Sequence, residues 1–215
     1  MYDWTEKKPV IGGIGEVLWD VMGHAETLGG APINFAYHSA QLGAEAYAIS
    51  AIGNDERGER AVSALAECGV ATEHLARIDD VPTGYVEASI DSNGVATYVF
   101  PDNVAWDQIR IEPATLALAA QFDAVCFGSL AQRSDESRSA ILGFLKLLDS
   151  SVLKIFDLNI RQSFYSSNII RDSLARADIL KLNDDEIDLL NELEGLEGSH
   201  EQQLRQLVDH YRLSL

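Results

Sequence analysis

Two polar residues in the N-terminal part of the chain have the chemistry needed to bind a ligand rich in hydroxyl groups. Asp20 ends a long apolar run, and Asn34 follows Gly29 and Gly30 at the predicted start of a helix. A carboxylate accepts hydrogen bonds from hydroxyls, and a carboxamide both donates and accepts them. Glycines permit positive φ and bring a ligand close to the backbone. Taken alone, Gly29, Gly30 and Asn34 favour a tight turn followed by a surface amide over a ligand site. Other parts of the sequence are needed to distinguish the two interpretations.

Three polar residues in the C-terminal half have chemistry suited to an anion, a polyol or a metal ion. Asn183 and Glu186, spaced as Asn-x-x-Glu, could hold a hydrated Mg²⁺. The same pair also fits a helix N-cap followed by a first-turn acid that the helix dipole favours. Arg161 presents a fork of donors to an anion or a polyol, or else it forms a surface ion pair.

Other kinds of site are excluded by the sequence. Gly13 and Gly15 resemble the start of a dinucleotide fingerprint, but Leu18 occupies the place of its third glycine. The chain contains no P-loop, no Gly-x-Ser-x-Gly elbow, no His-Glu-x-x-His and no Cys-x-x-Cys pattern. The five histidines are scattered, so no metal-ligand spacing stands out.

Alternating apolar strands and amphipathic helices must position these groups. The predicted strands end in polar or glycine residues, and ligands of open α/β sheets bind beyond such strand ends. These strands cover residues 10–21, 46–52, 74–78, 124–127, 152–158 and 179–182. Helices follow most of them, and Ser134 and Ser199 are predicted to cap two. The pattern predicts an α/β fold, a mostly parallel sheet with helices on both faces.

A hairpin interrupts the strand–helix rhythm. Residues 85–100 alternate apolar and polar side chains around Ser92-Asn93-Gly94, a sequence typical of a hairpin turn. We interpret this segment as part of a β lid around residues 83–102, within one α/β domain spanning residues 1–215. A plain edge hairpin fits the pattern equally well.

Composition narrows the class of protein. The 215 residues carry a net charge of −18 and are 47% hydrophobic, which is typical of a soluble globular domain. Such acidity argues against a nucleic-acid partner, which requires clustered Lys and Arg. No apolar run is long enough to span a membrane. Cys68 and Cys126 form no framework of paired cysteines, so a reducing cytoplasm is the expected location.

An ordered set of short motifs resembles the ribokinase-like sugar kinases, the PfkB family, and most closely their fructokinase-like branch. Each motif is weak alone, but seven in order across nearly the whole chain are specific. They are Gly15-Glu16-Val17-Leu18-Trp19-Asp20, Gly29-Gly30-Ala31-Pro32-Ile33-Asn34-Phe35-Ala36, Gly53-Asn54-Asp55 with Gly58, Pro82-Thr83-Gly84, Phe127-Gly128-Ser129-Leu130, Asp157-Leu158-Asn159-Ile160-Arg161, and Lys181-Leu182-Asn183-Asp184-Asp185-Glu186.

The resemblance implies transfer of the γ-phosphoryl group of ATP to a sugar hydroxyl, with fructose the favoured sugar. It implies a substrate site and a lid that covers the sugar, excludes water and pairs two chains into a homodimer. The implied substrate residues are Asp20, Gly30, Asn34, Phe100 and Arg161. It also implies that Asn183 and Glu186 organise phosphates and Mg²⁺, with Glu186 meeting the metal through water.

One family signature does not occur in the sequence. Gly-Ala-Gly-Asp, which supplies the family's anion hole and catalytic aspartate, is absent from the 215 residues. We therefore expect the fold to lack its last strands and helices, the catalytic base to lie beyond Leu215, and this chain to be inactive alone and prone to dimerise or aggregate. The alternatives are a truncated, non-catalytic fragment that binds sugar or dimerises and, less favoured because of Leu18 and the hairpin, a nicotinamide-dependent dehydrogenase.

Overall fold

The computed structural model describes residues 7–90 and 96–214, and within them two β-sheets form the framework. The strands, in chain order, are β1 (Val10–Ile14), β2 (Leu18–Met22), β3 (Ala25–Gly29), β4 (Glu45–Gly53), β5 (Val70–Ala71), β6 (Leu75–Ile78), β7 (Gly84–Ile90), β8 (Ala96–Val99), β9 (Ala124–Gly128), β10 (Leu153–Asp157) and β11 (Ile179–Lys181). The helices are α1 (Ala31–Gln41), α2 (Glu56–Glu67), α3 (Pro113–Leu118), α4 (Asp135–Leu147), α5 (Ser167–Leu174), α6 (Asp184–Glu194) and α7 (His200–Tyr211). Short 3₁₀ helices cover Ala105–Gln108, Ala119–Gln121 and Leu130–Arg133.

The main sheet is parallel throughout. Its strand order is β11–β10–β9–β1–β4–β5, and β6 pairs with the carboxyl-terminal half of β4. Along β4, Ala46 and Ala48 belong to the core that includes α1 and α2, whereas Ile49 and Ala51 belong to the core that includes α4 and α5. Because successive side chains of a strand point to opposite faces, the sheet is covered by helices on both sides. The predicted α/β fold is confirmed.

The prediction of one strand over residues 10–21 is wrong. The chain leaves the main sheet after Ile14 and enters a second sheet at Leu18, so the run forms β1 and β2 in different sheets. Gly15 makes the break with a φ of 154°, and a Cβ there would lie 2.7 Å from Cγ of Pro32. Both halves of the run are apolar, so hydrophobicity alone does not reveal the change of sheet.

The second sheet, called the lid sheet below, has the order β3–β2–β7–β8. Strands β7 and β8 pair antiparallel, which confirms the strands of the predicted hairpin, although the Ser92-Asn93-Gly94 turn lies outside the described residues. Strand β2 pairs parallel with β7 and antiparallel with β3. The sheet therefore joins residues 18–29 to the hairpin, a pairing that the sequence did not predict.

The helices begin largely where the sequence places their caps. Ser134 Oγ accepts a hydrogen bond from the Ser137 N–H at 3.1 Å, and Ser199 forms a capping box with Gln202. Such caps satisfy N–H groups that have no partner inside the helix. Across residues 7–90 and 96–214, no helix combines the length and the apolar character needed to cross a membrane.

Candidate functional site

A cavity of about 1180 Å³ lies between the lid sheet, the first turn of α1 and the carboxyl-terminal ends of β9, β10 and β11. Its walls include all five residues that the sequence analysis assigned to the substrate: Asp20, Gly30, Asn34, Phe100 and Arg161. These residues lie far apart in the chain, and the fold brings them to one space. Their role in binding sugar stays a prediction.

Asp20 lies on β2, one of the two central strands of the lid sheet, rather than at the end of a main-sheet strand. Burial raises the pKa of its carboxyl group, and the charge of Arg161 opposes that shift. A Cβ at Gly29 would lie 2.7 Å from Oδ2 of Asp20. Gly29 is therefore required less for contact with a ligand than to leave room for the Asp20 carboxylate.

Gly30 opens helix α1 for a different reason. Its φ is 114°, and a Cβ there would lie 2.1 Å from the carbonyl oxygen of Glu16. Having no side chain, Gly30 cannot cap the helix itself. Glu16 supplies the missing acceptor instead, since its Oε1 receives the N–H of Ala31 at 3.0 Å. The first turn of α1, with the exposed Asn34, is thus fixed by a residue from the link between β1 and β2.

Glu16 is a site residue that the sequence analysis missed. It lies in the cavity wall, has no solvent-exposed surface, and its Oε2 has no hydrogen-bond partner among the described residues. Burial raises its pKa to about 7, although backbone N–H groups, including that of Ala31, lower it. The signal that could have revealed it is a single acid within the apolar run of residues 10–19.

The loop after β10 forms the opposite wall. Asn159 and Gln162 have positive φ values of 40° and 48°, which is uncommon outside glycine. Gln162 donates a hydrogen bond from Nε2 to the carbonyl oxygen of Tyr98 on β8, so this loop reaches the lid sheet. Phe100, just beyond β8, packs edge-on against Phe164 with 5.8 Å between ring centres. These contacts hold the two sides of the cavity together.

Asn183 and Glu186 lie outside the cavity lining. They form a capping box at the start of α6, in which Asn183 Oδ1 accepts the Glu186 N–H at 2.9 Å and Glu186 Oε2 accepts the Asn183 N–H at 2.9 Å. The other oxygen, Oε1, accepts the N–H of Ile160 at 2.8 Å. Glu186 therefore anchors the loop that carries Arg161, a structural role that the sequence did not predict.

Comparisons with known proteins identify the family. The model of the pfkB family carbohydrate kinases matches residues 1–211. The chain belongs to this family. An uncharacterized sugar kinase from Pyrococcus horikoshii is 26% identical over 205 residues, covering 87% of this chain and 66% of that protein. A fructokinase from Salmonella typhimurium is 27% identical over 186 residues, covering 81% of this chain and 60% of that protein.

Solved structures agree with this assignment. The Pyrococcus horikoshii sugar kinase superimposes with a TM-score of 0.77 at 26% identity, covering 86% of this chain and 66% of that one. The same protein has been solved in complex with ATP, with a TM-score of 0.78 at 25% identity, covering 87% of this chain and 67% of that one. A fructokinase from Xylella fastidiosa shares the fold with a TM-score of 0.81 at 21% identity, over 94% of this chain and 67% of that one. The chain thus spans about two thirds of these relatives' length, or slightly less.

Two further motifs of this pfkB-family chain connect the main sheet to the lid sheet and do not line the cavity. Asp55 Oδ1 accepts hydrogen bonds from the Gly58 N–H at 2.8 Å and the Thr83 hydroxyl at 2.6 Å, while Oδ2 accepts the Thr83 N–H at 2.7 Å. Thr83 Oγ1 in turn accepts the N–H of Gly53. We call Gly53, Asp55, Gly58 and Thr83 the hinge cluster, because it ties the end of β4 to the start of lid strand β7.

At the place predicted for Mg²⁺, Glu186 is already used as a hydrogen-bond acceptor within the fold. Each oxygen of Glu186 already accepts a backbone N–H, and its side chain is buried. Among residues 7–90 and 96–214 there is also no cluster of three or more His, Cys, Asp or Glu side chains suited to a metal ion. A contact between Glu186 and Mg²⁺ through water stays a prediction.

Proposed function

We propose that this chain forms the sugar-binding part of an ATP-dependent sugar kinase with fructose as its favoured substrate. The observation that carries the proposal is the single cavity lined by Asp20, Gly30, Asn34, Phe100 and Arg161 beneath the lid sheet. Membership of the pfkB family and the similarity to fructokinases support the reaction class.

Each wall of the cavity has a distinct task in this proposal. Asp20 accepts hydrogen bonds from sugar hydroxyls, and Asn34 donates and accepts through its carboxamide. Gly30 lets the sugar lie against bare backbone, while Phe100 offers an apolar face beside the lid. Arg161 donates from the loop after β10. Together the groups orient one hydroxyl and exclude water, which protects ATP from hydrolysis.

The charges around the cavity favour a neutral sugar over a sugar acid. Glu16, Asp20 and Asp157 contribute carboxyl groups to its lining, whereas Arg161 and Lys181 contribute cations. Lys181 is already engaged, because its Nζ lies 3.0 Å from Oδ1 of Asp157. A second carboxylate brought by the ligand would therefore find few free donors, which supports fructose over 2-keto-3-deoxygluconate.

For the 215-residue chain itself, we propose sugar binding with little or no phosphoryl transfer. None of its residues matches the Gly-Ala-Gly-Asp signature that would supply the base. ATP as the phosphoryl donor is supported by the ATP complex of the Pyrococcus horikoshii relative. A reducing cytoplasm is proposed as the location, consistent with the free thiols of Cys68 and Cys126.

Calorimetric titration of the purified chain tests the sugar site. Fructose, ribose, 2-keto-3-deoxygluconate and a nucleoside are compared, and fructose is expected to bind most tightly. Asp20→Asn is expected to weaken fructose binding about tenfold or more, since a charged acceptor is lost. Asp102→Asn, at an exposed acid outside the cavity, is the matched control. Absence of heat with all four sugars would refute the sugar site.

An ADP-release assay tests the non-catalytic part of the proposal. The chain is expected to release no sugar-dependent ADP above the rate of ATP alone. Turnover at ordinary kinase rates, on the order of 1–100 s⁻¹, would show that the chain contains its own base.

We also propose that the lid sheet pairs two chains. Val99 on β8 is 53% exposed. Its neighbour Tyr98 lines the cavity, and successive side chains of a strand point to opposite faces. Val99 therefore lies on the outer face of the lid sheet, where an exposed apolar side chain favours association. Sedimentation velocity is expected to show a dimer that Val99→Lys converts to monomer. A wild-type monomer at all concentrations would contradict the pairing.

A further inference from the structure

Glu16 is a charged side chain enclosed at the base of the cavity. It is 0% exposed, yet one of its carboxylate oxygens, Oε2, has no hydrogen-bond partner among the described residues. Leaving a buried carboxylate half-satisfied is costly. Such a group in the wall of a ligand cavity therefore calls for a functional explanation.

The other oxygen links Glu16 to the sugar-binding turn. The first N–H groups of a helix lack intrahelical acceptors, and Glu16 Oε1 accepts the N–H of Ala31 at 3.0 Å. The next contact in this turn is the Asn34 N–H, which donates to the Gly30 carbonyl at 2.8 Å. Glu16 thus fixes the backbone from Gly30 to Asn34, although its Oε2 is buried and has no hydrogen-bond partner among the described residues.

We propose that Glu16 is a positioning residue of the sugar site and that its carboxyl group takes up a proton when the cavity fills. The inference rests on the proposed function, since the sugar is the ligand that fills the cavity.

The surrounding charges set the direction of proton movement. The pKa of Glu16 is raised to about 7, mainly by burial and also by the charge of Asp157 on β10, while backbone N–H groups and the charge of Arg161 oppose the shift. The remaining titratable groups that line the cavity are Asp20 on β2, His38 on α1, Tyr98 on β8, Cys126 on β9 and Lys181 on β11. A bound sugar displaces water and so weakens the screening between Glu16 and Asp157. Because Oε2 is buried in the cavity wall, a sugar hydroxyl is not expected to donate to it.

Calorimetry in two buffers of different ionisation enthalpy, phosphate and Tris, measures the proton directly. Fructose binding to the wild-type chain at pH 7 is expected to take up a fraction of a proton, and its affinity is expected to fall about two- to fivefold between pH 6 and pH 8. Glu16→Gln, which keeps an acceptor for Ala31 but cannot titrate, is expected to abolish the uptake. His38→Gln is the matched control and is expected to retain it, since imidazoles also exchange protons in this range.

Each outcome decides the proposal. Uptake that persists in Glu16→Gln, or disappears in His38→Gln, would assign the proton to another group. Proton release would mean that the sugar donates to Oε2 directly and would overturn the positioning role. Heat that is equal in both buffers would also overturn it.

If no sugar binds, the proposed function fails but Glu16 is still tested. Amide hydrogen exchange at Ala31 is expected to rise about tenfold or more in Glu16→Leu, which removes the acceptor, and to stay protected in Glu16→Gln. Equal protection in both variants would refute the positioning role. Should Glu16→Leu fail to fold, titration of the Glu16 side-chain carboxyl by ¹³C NMR in the wild type serves instead, and an ordinary acid titration near pH 4.5 would refute the proposal.

Discussion

Two acids flank the lid sheet, and their environments differ sharply. Asp55, in the hinge cluster, accepts three hydrogen bonds, and these outweigh the effect of burial and lower its pKa. Glu16 accepts one side-chain hydrogen bond, from Ala31, and burial raises its pKa to about 7. Glu16 is fully buried and accepts few hydrogen bonds, whereas Asp55 is only partly buried and accepts three, and both differences move the two pKa values apart.

This difference indicates a structural role for Asp55 and a role at the ligand site for Glu16. A fully satisfied carboxylate holds two segments rigidly, as Asp55 holds the end of β4 against the start of β7. A buried carboxylate with one unpaired oxygen, such as that of Glu16, costs stability. Its position beside a cavity favours a role in ligand binding. Asp55 therefore holds the lid sheet to the main sheet, and Glu16 is the proposed proton-binding group in the cavity wall.

Removing the hinge acid is expected to have the largest effect. Asp55→Ala leaves the N–H groups of Thr83 and Gly58 without their acceptor and is expected to cost roughly 4 kcal/mol of unfolding free energy. Urea denaturation measures this loss. Glu67→Ala, at an exposed acid on the same helix, is the control and is expected to change stability by less than about 0.5 kcal/mol. Similar losses of unfolding free energy in both variants would contradict a stabilising role for the hinge cluster.

The pH dependence of stability is expected to differ in sign between the two acids. The pKa of Glu16 in the folded chain lies above its ordinary value of 4.5, so the folded state holds a proton that the unfolded state has lost. Its contribution to stability thus falls as the pH rises from 4.5 to 7. Relative to the wild type, Glu16→Gln is expected to gain about 3 kcal/mol of unfolding free energy between pH 4.5 and pH 8.

For Asp55 the expected pH dependence of stability has the opposite sign, and Asp55→Asn tests it. Because the folded-state pKa of Asp55 is lowered, its ionised carboxylate stabilises the fold above the ordinary pKa and loses that effect as the pH falls through the folded value. The wild type is expected to exceed Asp55→Asn in stability at neutral pH, with the gap closing in acid. Urea denaturation at several pH values measures both variants, and parallel pH profiles would contradict the contrast.

A substitution at Gly29 is expected to weaken sugar binding without disturbing the hinge cluster. The Cβ of Gly29→Ala would lie 2.7 Å from Oδ2 of Asp20 and push that carboxylate aside. Fructose affinity is expected to fall about tenfold, equivalent to about 1.4 kcal/mol, with little change in melting temperature. Gly143→Ala, on helix α4 and with open space around the added Cβ, is the control for affinity. An unchanged affinity would remove Asp20 from the proposed site.

The smallest effect is expected at Lys181. Its side chain is exposed, and its ion pair with Asp157 lies at the cavity edge. Lys181→Met is expected to change stability by less than about 1 kcal/mol, because exposed ion pairs contribute little. Salt-dependent denaturation provides the check, and a loss of several kcal/mol would show that the pair is part of the core of the fold.

Local chemistry in the sequence predicted much of this architecture. The caps at Ser134 and Ser199 and the turn before α1 lie where residue types placed them, because each depends on neighbours a few positions away. The cavity residues were found as a set through their motifs. The hinge cluster was present in the same motifs, but the sequence could not distinguish a hinge from a ligand site.

The remaining features depend on contacts between distant segments. The apolar run of residues 10–21 satisfies a strand pattern on either side of Gly15, so its division between two sheets follows only from the packing of Pro32 against Gly15. Strand β3 contains polar residues and lacks a strong strand pattern. The role of Glu16 arises from a partner fifteen positions away, the Ala31 N–H. The anchoring of the Arg161 loop by Glu186 depends on the Ile160 N–H, which is 26 positions away.

The parallel pairing of β2 with β7 has a consequence for the order in which the molecule is assembled. Leu18 is paired with Gly84, so β2 leaves the ribosome well before its partner exists. The contacts of α1 with β1 and β4 are closer in sequence and close smaller loops, which are faster to form. The first turn of α1 is therefore expected to be in place on a nascent chain before the lid sheet is complete. The ends of β9, β10 and β11 are synthesised later still, so a ligand can stabilise the whole cavity only after β11 has been made.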